Sequence, residues 1–484
     1  MNYTLIGFIL YLVSILVIGT ISYRLNKSNY DFFLAGRKLN PWVVAFSERA
    51  SGESAWLLLG LPGAMYAVGL LEFWAAAGCV TGIVLYWFLV AERLRRATES
   101  SNSITLPDYI ANAFPSHAKA IRIVATCIII FFYTFYLAAQ FNGAGKVLNV
   151  TFGIPQLQGM LIGAAVIIFY TMMGGFLAVA YTDLVQGIIM IAALIVLPSV
   201  AFFMLLKNGD GLATLYAEDP EDLLSFTGGA GGLAGLAIIV GGLSWGFGYF
   251  GQPHLLTRFM SINSADNIKV SRRIAIMWAI PGFFGAMLIG LAGLAYYGAG
   301  AENLADAERV MPMLASSVLP AWIAGIFISA AIAAMMSTAD SQLLVITSSV
   351  IEDLYHKSMG VNLSEKRLLF LSRVITIFIG IIAFIIALTS EKLIFSMVSY
   401  AWSGLGAAFG PVVIFMLWWH KTSGKAVLVS MITGTFVTIL WTEISFLDNI
   451  ISVRFVSFVL AVIVLVIISH FDHAKSTIKP SNLT

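Results

Sequence analysis

The sequence predicts an all-α protein that crosses a membrane many times. Three observations carry that expectation. Of 484 residues, 59% are hydrophobic and 11% charged, whereas an ordinary soluble domain is about a quarter charged. The mean hydropathy is +0.91. Apolar stretches near the ~20 residues needed to cross hydrocarbon recur along the chain. They lie near residues 5–23, 42–67, 69–91, 119–148, 156–175, 180–206, 233–252, 273–299, 322–350, 368–389, 392–419, 424–442 and 451–470, about thirteen in all.

The first stretch reads as an anchor and not as a cleaved leader. No basic residue precedes it and no small-x-small cleavage site ends it; Arg24 and Lys27 follow it. Charge then alternates from loop to loop. Basic residues follow the odd-numbered spans: Arg37 and Lys38; Arg93, Arg95 and Arg96; Arg258, Lys269, Arg272 and Arg273; Lys357, Lys366 and Arg367; Lys421 and Lys425; Lys475 and Lys479. The even-span loops are poor in basic residues or acidic, with Asp210, Glu218, Asp219, Glu221 and Asp222 after the sixth and Glu302, Asp306 and Glu308 after the eighth. Positive loops stay inside, so the N-terminus is expected outside and the C-terminus inside. The net charge of +2 decides little. Basic residues are scattered through short loops, which argues against nucleic-acid binding. Cys79 and Cys127 are expected as small core residues. The short stretch after the last span leaves no room for an attached soluble enzyme or kinase domain.

The second and seventh spans are poor continuous helices. The second holds Ser47, Glu48, Arg49, Ser51, Gly52, Glu53 and Ser54, then Gly60, Pro62 and Gly63. The seventh runs from Gly241 to Pro253 with Gly242, Gly246, Gly248 and Gly251 between. Glycine and proline weaken helices, and irregular backbone at membrane depth survives only where it lines a cavity or is buried in protein. Tight helix packing also uses glycine. Two dense clusters five spans apart point instead to broken helices in an inverted repeat, with the ligand site at the breaks. The repeats are then 42–206 and 233–419, with 5–23 and 424–470 peripheral, within one transmembrane domain covering 1–484.

In the ninth span, Ser337 and Thr338 place adjacent hydroxyls in hydrocarbon. A polar group buried there without a partner costs roughly 4–8 kcal/mol. Two readings stand: they bond back to carbonyls of their own helix, or they help hold a dehydrated cation, which as a hard ion takes oxygen ligands. On the cation reading, carbonyls freed near Ala50 and Glu53, and that of Ala334 one turn earlier, complete five oxygens. Acids inside spans are functional candidates. Asp340 lies near the face of Ser337. Asp183, after the turn Met172-Met173-Gly174-Gly175, either caps its helix or serves a cation. Glu48 and Arg49 read as structural residues that pair with partners near the inner face, and Glu72 faces the outer interface. Trp245 and Tyr249, four apart, share a face if helical. They are either a packing pair or an aromatic wall for an ammonium-bearing solute. His254 reads as a loop or packing residue.

Several stretches together resemble the sodium/solute symporter family, and within it the bacterial proline branch, from about residue 4 to 470. They are Ala50-Ser51-Gly52-Glu53-Ser54-Ala55-Trp56 into Gly60-Leu61-Pro62-Gly63-Ala64, and Gly174-Gly175-Phe176-Leu177-Ala178-Val179 leading to Thr182-Asp183. Trp245 to His254, Met336-Ser337-Thr338, Val398 to Trp402 and Gly406 to Pro411 complete the set. The resemblance implies a LeuT-like 5+5 core and sodium-coupled symport of L-proline into the cell by alternating access, across a bacterial inner membrane. It implies sodium ligands at Ala50, Glu53, Ala334, Ser337 and Thr338, and substrate contacts at Trp245, Tyr249 and Pro253 with Tyr136 and Ser54 nearby. Arg37 matches an arginine of the inner face. The chain departs from the pattern at Gly52, where an aspartate is usual, with Glu53 one position along, and at Asp340, often a hydroxyl residue. Asp183 and Asp340 together suggest a second cation or proton site. Another small amino acid or osmolyte, proton coupling, or a membrane sensor are the alternatives; no enzyme constellation is visible, and no obligatory protein partner is expected.

Overall fold

The computed structural model describes residues 3–23, 33–207, 223–298, 304–361, 364–390 and 392–472. Among the loop charges named above, Arg24, Lys27, Asp210, Glu218, Asp219, Glu221, Asp222, Glu302, Lys475 and Lys479 lie outside the described residues. Helix runs through every apolar stretch, and the described residues form no strand beyond one isolated bridge, Leu39 to Ile262. Among the described residues, ten helical runs are long and apolar enough to cross a membrane, one of them being Pro41–Leu89 as a whole; Tyr3–Ile15 and Gln156–Met172 are shorter apolar helices.

Helix α1 spans Tyr3–Tyr23. A left-handed turn at Ala35–Arg37 precedes α2, Pro41–Ala55. Asn40 starts α2 by accepting the Val43 N–H, and Pro41 sits at the first helical position, where its missing donor costs nothing. A π-helical turn, Trp56–Gly60, joins α2 to α3, Leu61–Val68. Then come α4, Phe73–Leu89; α5, Ala91–Ser100; α6, Leu106–Asn112; and α7, Ala118–Phe152. Helix α8, Gln156–Lys207, is interrupted at Gly175 (φ 60°), a conformation that glycine adopts without a Cβ clash. Helix α9 is Gly232–Leu243, α10 Trp245–Gly248, and α11 Pro253–Ser261. The remainder are α12, Ile268–Tyr297; α13, Val310–Val318; α14, Ala321–Ser348; α15, Glu365–Thr389; α16, Ile394–Trp418; α17, Gly424–Glu443; α18, Ser445–Ile450; and α19, Val453–Phe471.

Helix α14 is the axis of the molecule. Every residue from Ala330 to Ser348 is buried, and it packs on α1, α2, α7 and α8. Alanine at 330, 331, 333, 334 and 339 lets those neighbours approach closely, as small residues do between membrane helices.

The loops gather in two sets. Arg37, after the first span, donates to Ser103 O at 2.8 Å and Met260 O at 3.1 Å, after the third and seventh. Lys357, after the ninth, donates to Asp108 at 2.8 Å. On the other set, Leu70 N–H bonds Leu223 O at 2.7 Å and Lys146 pairs with Glu308 at 2.6 Å. Odd-span loops meet odd, and even meet even.

Three expectations need correction. Cys127 is exposed on the helix surface and only Cys79 is buried; an apolar thiol is equally at home against lipid. The seventh span continues past Pro253 to Ser261, because proline opens a new helical segment there. Arg258, counted as a loop charge, is therefore fully buried on α11.

Candidate functional site

Both predicted breaks exist. In α2 the helix fails at Ser54 (φ 54°, ψ −167°), an unusual conformation for a residue with a side chain. Such strain costs of order 1–3 kcal/mol and persists where the surroundings enforce it. Here the Ala55 N–H turns away to Gln140 Oε1 at 3.1 Å, and the Trp56 N–H reaches Ser54 Oγ at 3.1 Å. In a regular helix Ala55 would have bonded the carbonyl four residues back, that of Ser51. That carbonyl is released into the core.

The second break lies at Gln252 (φ −89°, ψ 103°), between a 3-10 turn at Tyr249–Gly251 and α11. Gln252 donates to Trp402 O at 3.3 Å, and Trp402 Nε1 donates to Trp245 O at 2.9 Å. Helix α16 reaches this backbone because Gly248 has no side chain; a Cβ there would lie 1.7 Å from Trp402 Nε1.

Helix α14 lies against the first break. Ser337 Oγ is 3.0 Å from Ala50 O and 3.1 Å from Ala334 O. Thr338 Oγ1 is 2.9 Å from Ser51 O and 2.9 Å from Ala334 O. All of these residues are fully buried. Each hydroxyl carries one proton and faces two carbonyls, so oxygens outnumber the protons available to them. The hydroxyls do bond back to Ala334 of their own helix, and they also bridge to α2. Of the five expected ligands, Ala50, Ala334, Ser337 and Thr338 come together. The Glu53 carbonyl instead accepts the Trp56 N–H, and the Ser51 carbonyl stands beside Thr338. The sequence signal for Ser51 was its place four residues before Ala55, the first residue past the break at Ser54.

Asp183 is not a helix cap. It lies eight residues beyond the Gly175 interruption, and its Oδ2 accepts from Ser47 Oγ (2.6 Å), Ser51 Oγ (3.0 Å) and Arg258 Nη2 (3.0 Å). Among the described residues its Oδ1 accepts no hydrogen bond, and Asp340, with Ser341 beside it, is fully buried within electrostatic reach of Asp183 and Arg258. Arg258 also donates to Ser341 Oγ at 2.5 Å. Two buried acids thus share one arginine beside the hydroxyl pair.

His254 is more than a packing residue. Its Nδ1 is 2.7 Å from Tyr133 O–H and its Nε2 3.2 Å from Ser51 O, tying the second break to the freed carbonyl of the first. Tyr136 O–H donates to Ser54 Oγ at 3.3 Å and its ring meets that of His254. The Trp245 ring packs 4.7 Å from Trp56 and 5.2 Å from Phe395. Tyr249 packs 4.7 Å from Trp402 and its hydroxyl lies 3.5 Å from Glu53 Oε2. Pro253 begins α11 beside His254. Trp245, Tyr249, Tyr136 and Ser54 therefore surround the two breaks. Trp56, Gln140, Trp402 and His254 complete the surround; a Gln inside an apolar span was the one clear signal among them.

A cavity of ≈ 510 Å³ opens on Trp245 from the even-loop side, lined by Glu72, Phe395, Asp448 and Arg454. The Arg454 guanidinium lies over the Trp245 ring at 4.6 Å. At the opposite end, Arg37 closes α2 onto α5 and α11 through Thr98 O at 2.9 Å and Met260 O at 3.1 Å. Glu48 and Arg49 are partners of each other, joined by Glu53, Tyr86 and Trp87.

Comparison with known proteins agrees with this geometry. The profile of the sodium:solute symporter family matches residues 32–434. The high-affinity proline transporter of Bacillus subtilis is 41% identical over 434 residues, covering 90% of this chain and 91% of that protein. The sodium/proline symporter of Escherichia coli is 39% identical over 449 residues, covering 92% and 88%. Among solved structures, a Na+-coupled sialic acid symporter in a substrate-bound outward-open state superposes with TM-score 0.78 at 17% identity. It covers 99% of this chain and 100% of that one, so the two share a fold.

Proposed function

Because the chain belongs to the sodium:solute symporter family, we propose that it carries L-proline into the cell together with sodium, by alternating access. It is a multi-pass protein of the plasma membrane and a transporter, not an enzyme. The observation that carries the reading is the meeting of the Ser337 and Thr338 hydroxyls with the Ala50 and Ser51 carbonyls across the α2 break. Two near relatives named for proline transport support the substrate.

The roles follow from position. Ala50, Ala334, Ser337 and Thr338 hold the sodium ion, with the carbonyls of Ser51 and Glu53 at its margin. A hard cation accepts neutral oxygens in number, and an ion among them ties α2 to α14. Completing that contact sets the neighbouring break, so sodium and proline each raise the affinity for the other by the same factor. Ser54, Tyr136, Trp245, Tyr249 and Pro253 contact the substrate. Asp183 and Asp340, both fully buried and with the Asp183 Oδ1 accepting no hydrogen bond among the described residues, form a second monovalent-cation site; a proton in that place is the alternative. Residues 42–206 and 233–419 are the two five-helix repeats, with 5–23 and 424–470 peripheral. With odd loops inside, the cavity over Trp245 faces outward and Arg37 fastens the cytoplasmic face.

Uptake of radiolabelled L-proline into proteoliposomes, under an imposed sodium or proton gradient, tests this directly. Accumulation is expected with the sodium gradient. No accumulation under either gradient, or competition by another solute at far lower concentration than proline, overturns the substrate.

A further inference from the structure

The α2 break carries a charge to which the ion site gives no task. Glu48, Arg49 and Glu53 are all fully buried. Glu48 is completely occupied: its Oε2 accepts from Arg49 Nε at 2.6 Å and Trp87 Nε1 at 3.2 Å, and its Oε1 accepts from Arg49 Nη2 and the Tyr86 hydroxyl. That pair is neutral and satisfied. Glu53 takes the remaining corner of the same guanidinium, with Arg49 Nη1 2.6 Å from its Oε1. Two carboxylates thus share one cation, and when both are ionised the trio carries one negative charge in excess. The other oxygen of Glu53, Oε2, has only the Tyr249 hydroxyl, at a long 3.5 Å.

A net charge buried in hydrocarbon is costly unless an opposite charge meets it. The sodium site does not face it. Ser47 and Ser51 turn toward Asp183 and Ser337 on α8 and α14, whereas Glu48, Arg49 and Glu53 turn toward Tyr86 on α4 and toward Tyr249. Glu53 immediately precedes Ser54, and Tyr249 lies three residues before the second break at Gln252. This weakly bonded oxygen therefore points between the two breaks, where Tyr86 and Trp402 rings flank Tyr249 at 5.6 and 4.7 Å.

Resting on the proline reading above, we infer that the Glu53 carboxylate is the specificity-determining contact for the protonated nitrogen of the substrate. The aromatic rings accept the apolar ring of the solute, and its ammonium supplies the missing positive charge in place of the Tyr249 hydroxyl. A solute of the same shape without that nitrogen leaves the excess charge buried and unmatched. A site with an unpaired buried polar group rejects such an analogue strongly.

The test uses the full chain in proteoliposomes, with cyclopentanecarboxylate as the probe: it keeps ring and carboxylate and lacks the nitrogen. The wild-type protein is expected to ignore it at about a hundredfold excess over proline. Glu53→Gln should raise the proline KM by roughly tenfold or more and narrow the preference for proline over the analogue by a similar factor. Glu53→Asp should recover part of the affinity. Sodium binding, measured without proline, should fall far less than the proline affinity does. If Glu53→Gln weakens sodium binding and leaves the preference intact, the carboxylate serves the ion and the inference is wrong. Should the variant fail to insert, competition in the wild-type protein decides alone: an analogue as potent as proline overturns the inference. Wild-type protein that takes up no proline is a different failure, that of the substrate reading, and the inference falls with it.

Discussion

Ser337 and Thr338 show how much two hydroxyls decide. Each bonds a carbonyl of its own helix and one of the broken helix, so removing either strips an oxygen from the proposed ion site. A hydrogen bond or ligand contact of this kind is worth about 0.5–1.5 kcal/mol net, and more where a charge is involved. Ser337→Ala and Thr338→Ala should each raise the sodium concentration for half-maximal proline uptake by roughly five- to thirtyfold. Unchanged sodium dependence in both would remove them from the site. Glu48 belongs to a different class. It is joined to Arg49 by two bonds and capped by Tyr86 and Trp87. Breaking a buried pair leaves a bare charge, at a cost of about 3–5 kcal/mol. Glu48→Gln should therefore lower the thermal unfolding temperature of the detergent-solubilised protein markedly; a transition at the wild-type temperature would mean the pair is dispensable.

The element that matters most is the interrupted α2. Its interruption persists because neighbours satisfy the groups it releases: Gln140 accepts the Ala55 N–H, the Ser54 hydroxyl accepts the Trp56 N–H, and Ser337 and Thr338 donate to the Ala50 and Ser51 carbonyls. Gln140→Leu would leave a backbone donor buried without an acceptor, costing about 1–3 kcal/mol. Because that donor sits between the ion oxygens and the aromatic wall, sodium binding and proline affinity should weaken together. Loss of one without the other, in paired binding measurements, would show that the break is held elsewhere. Helix α16 is positioned with equal care at its start, where Glu308 accepts the Ile394 and Phe395 N–H groups at 3.0 and 2.8 Å and is itself paired to Lys146. An acid at a helix N-terminus is favourable, and here it joins an even-span loop to the helix that carries Trp402.

For the molecule as a whole, the two loop sets give orientation a direct test. In a Cys127→Ser background, single cysteines at Glu99 and Ser317 mark opposite faces, since one follows the third span and the other the eighth. A membrane-impermeant thiol reagent added to intact cells should label the cysteine at 317 and spare that at 99. The reverse pattern would invert the positive-inside assignment. The fold itself was legible at this scale from hydropathy and from two glycine-rich interruptions five spans apart, because lipid leaves the backbone few choices. Arg258 was misplaced because charge counting assumes that a basic residue at the end of a span seeks water. Its partner Asp183 lies 75 positions away in sequence, and no local pattern announces such a pair.

From the amino-acid order alone came the membrane class, the places where helices break, and the hydroxyl pair, since each follows from local hydrophobicity and backbone preference. Which oxygens meet was decided only when α14 settled against α2. That contact brought the Ser51 carbonyl beside Thr338, turned His254 from a packing residue into a bridge, and left the Glu53 side chain facing Tyr249. Distances between groups far apart along the chain depend on how whole helices pack, and packing is a property of the assembled core.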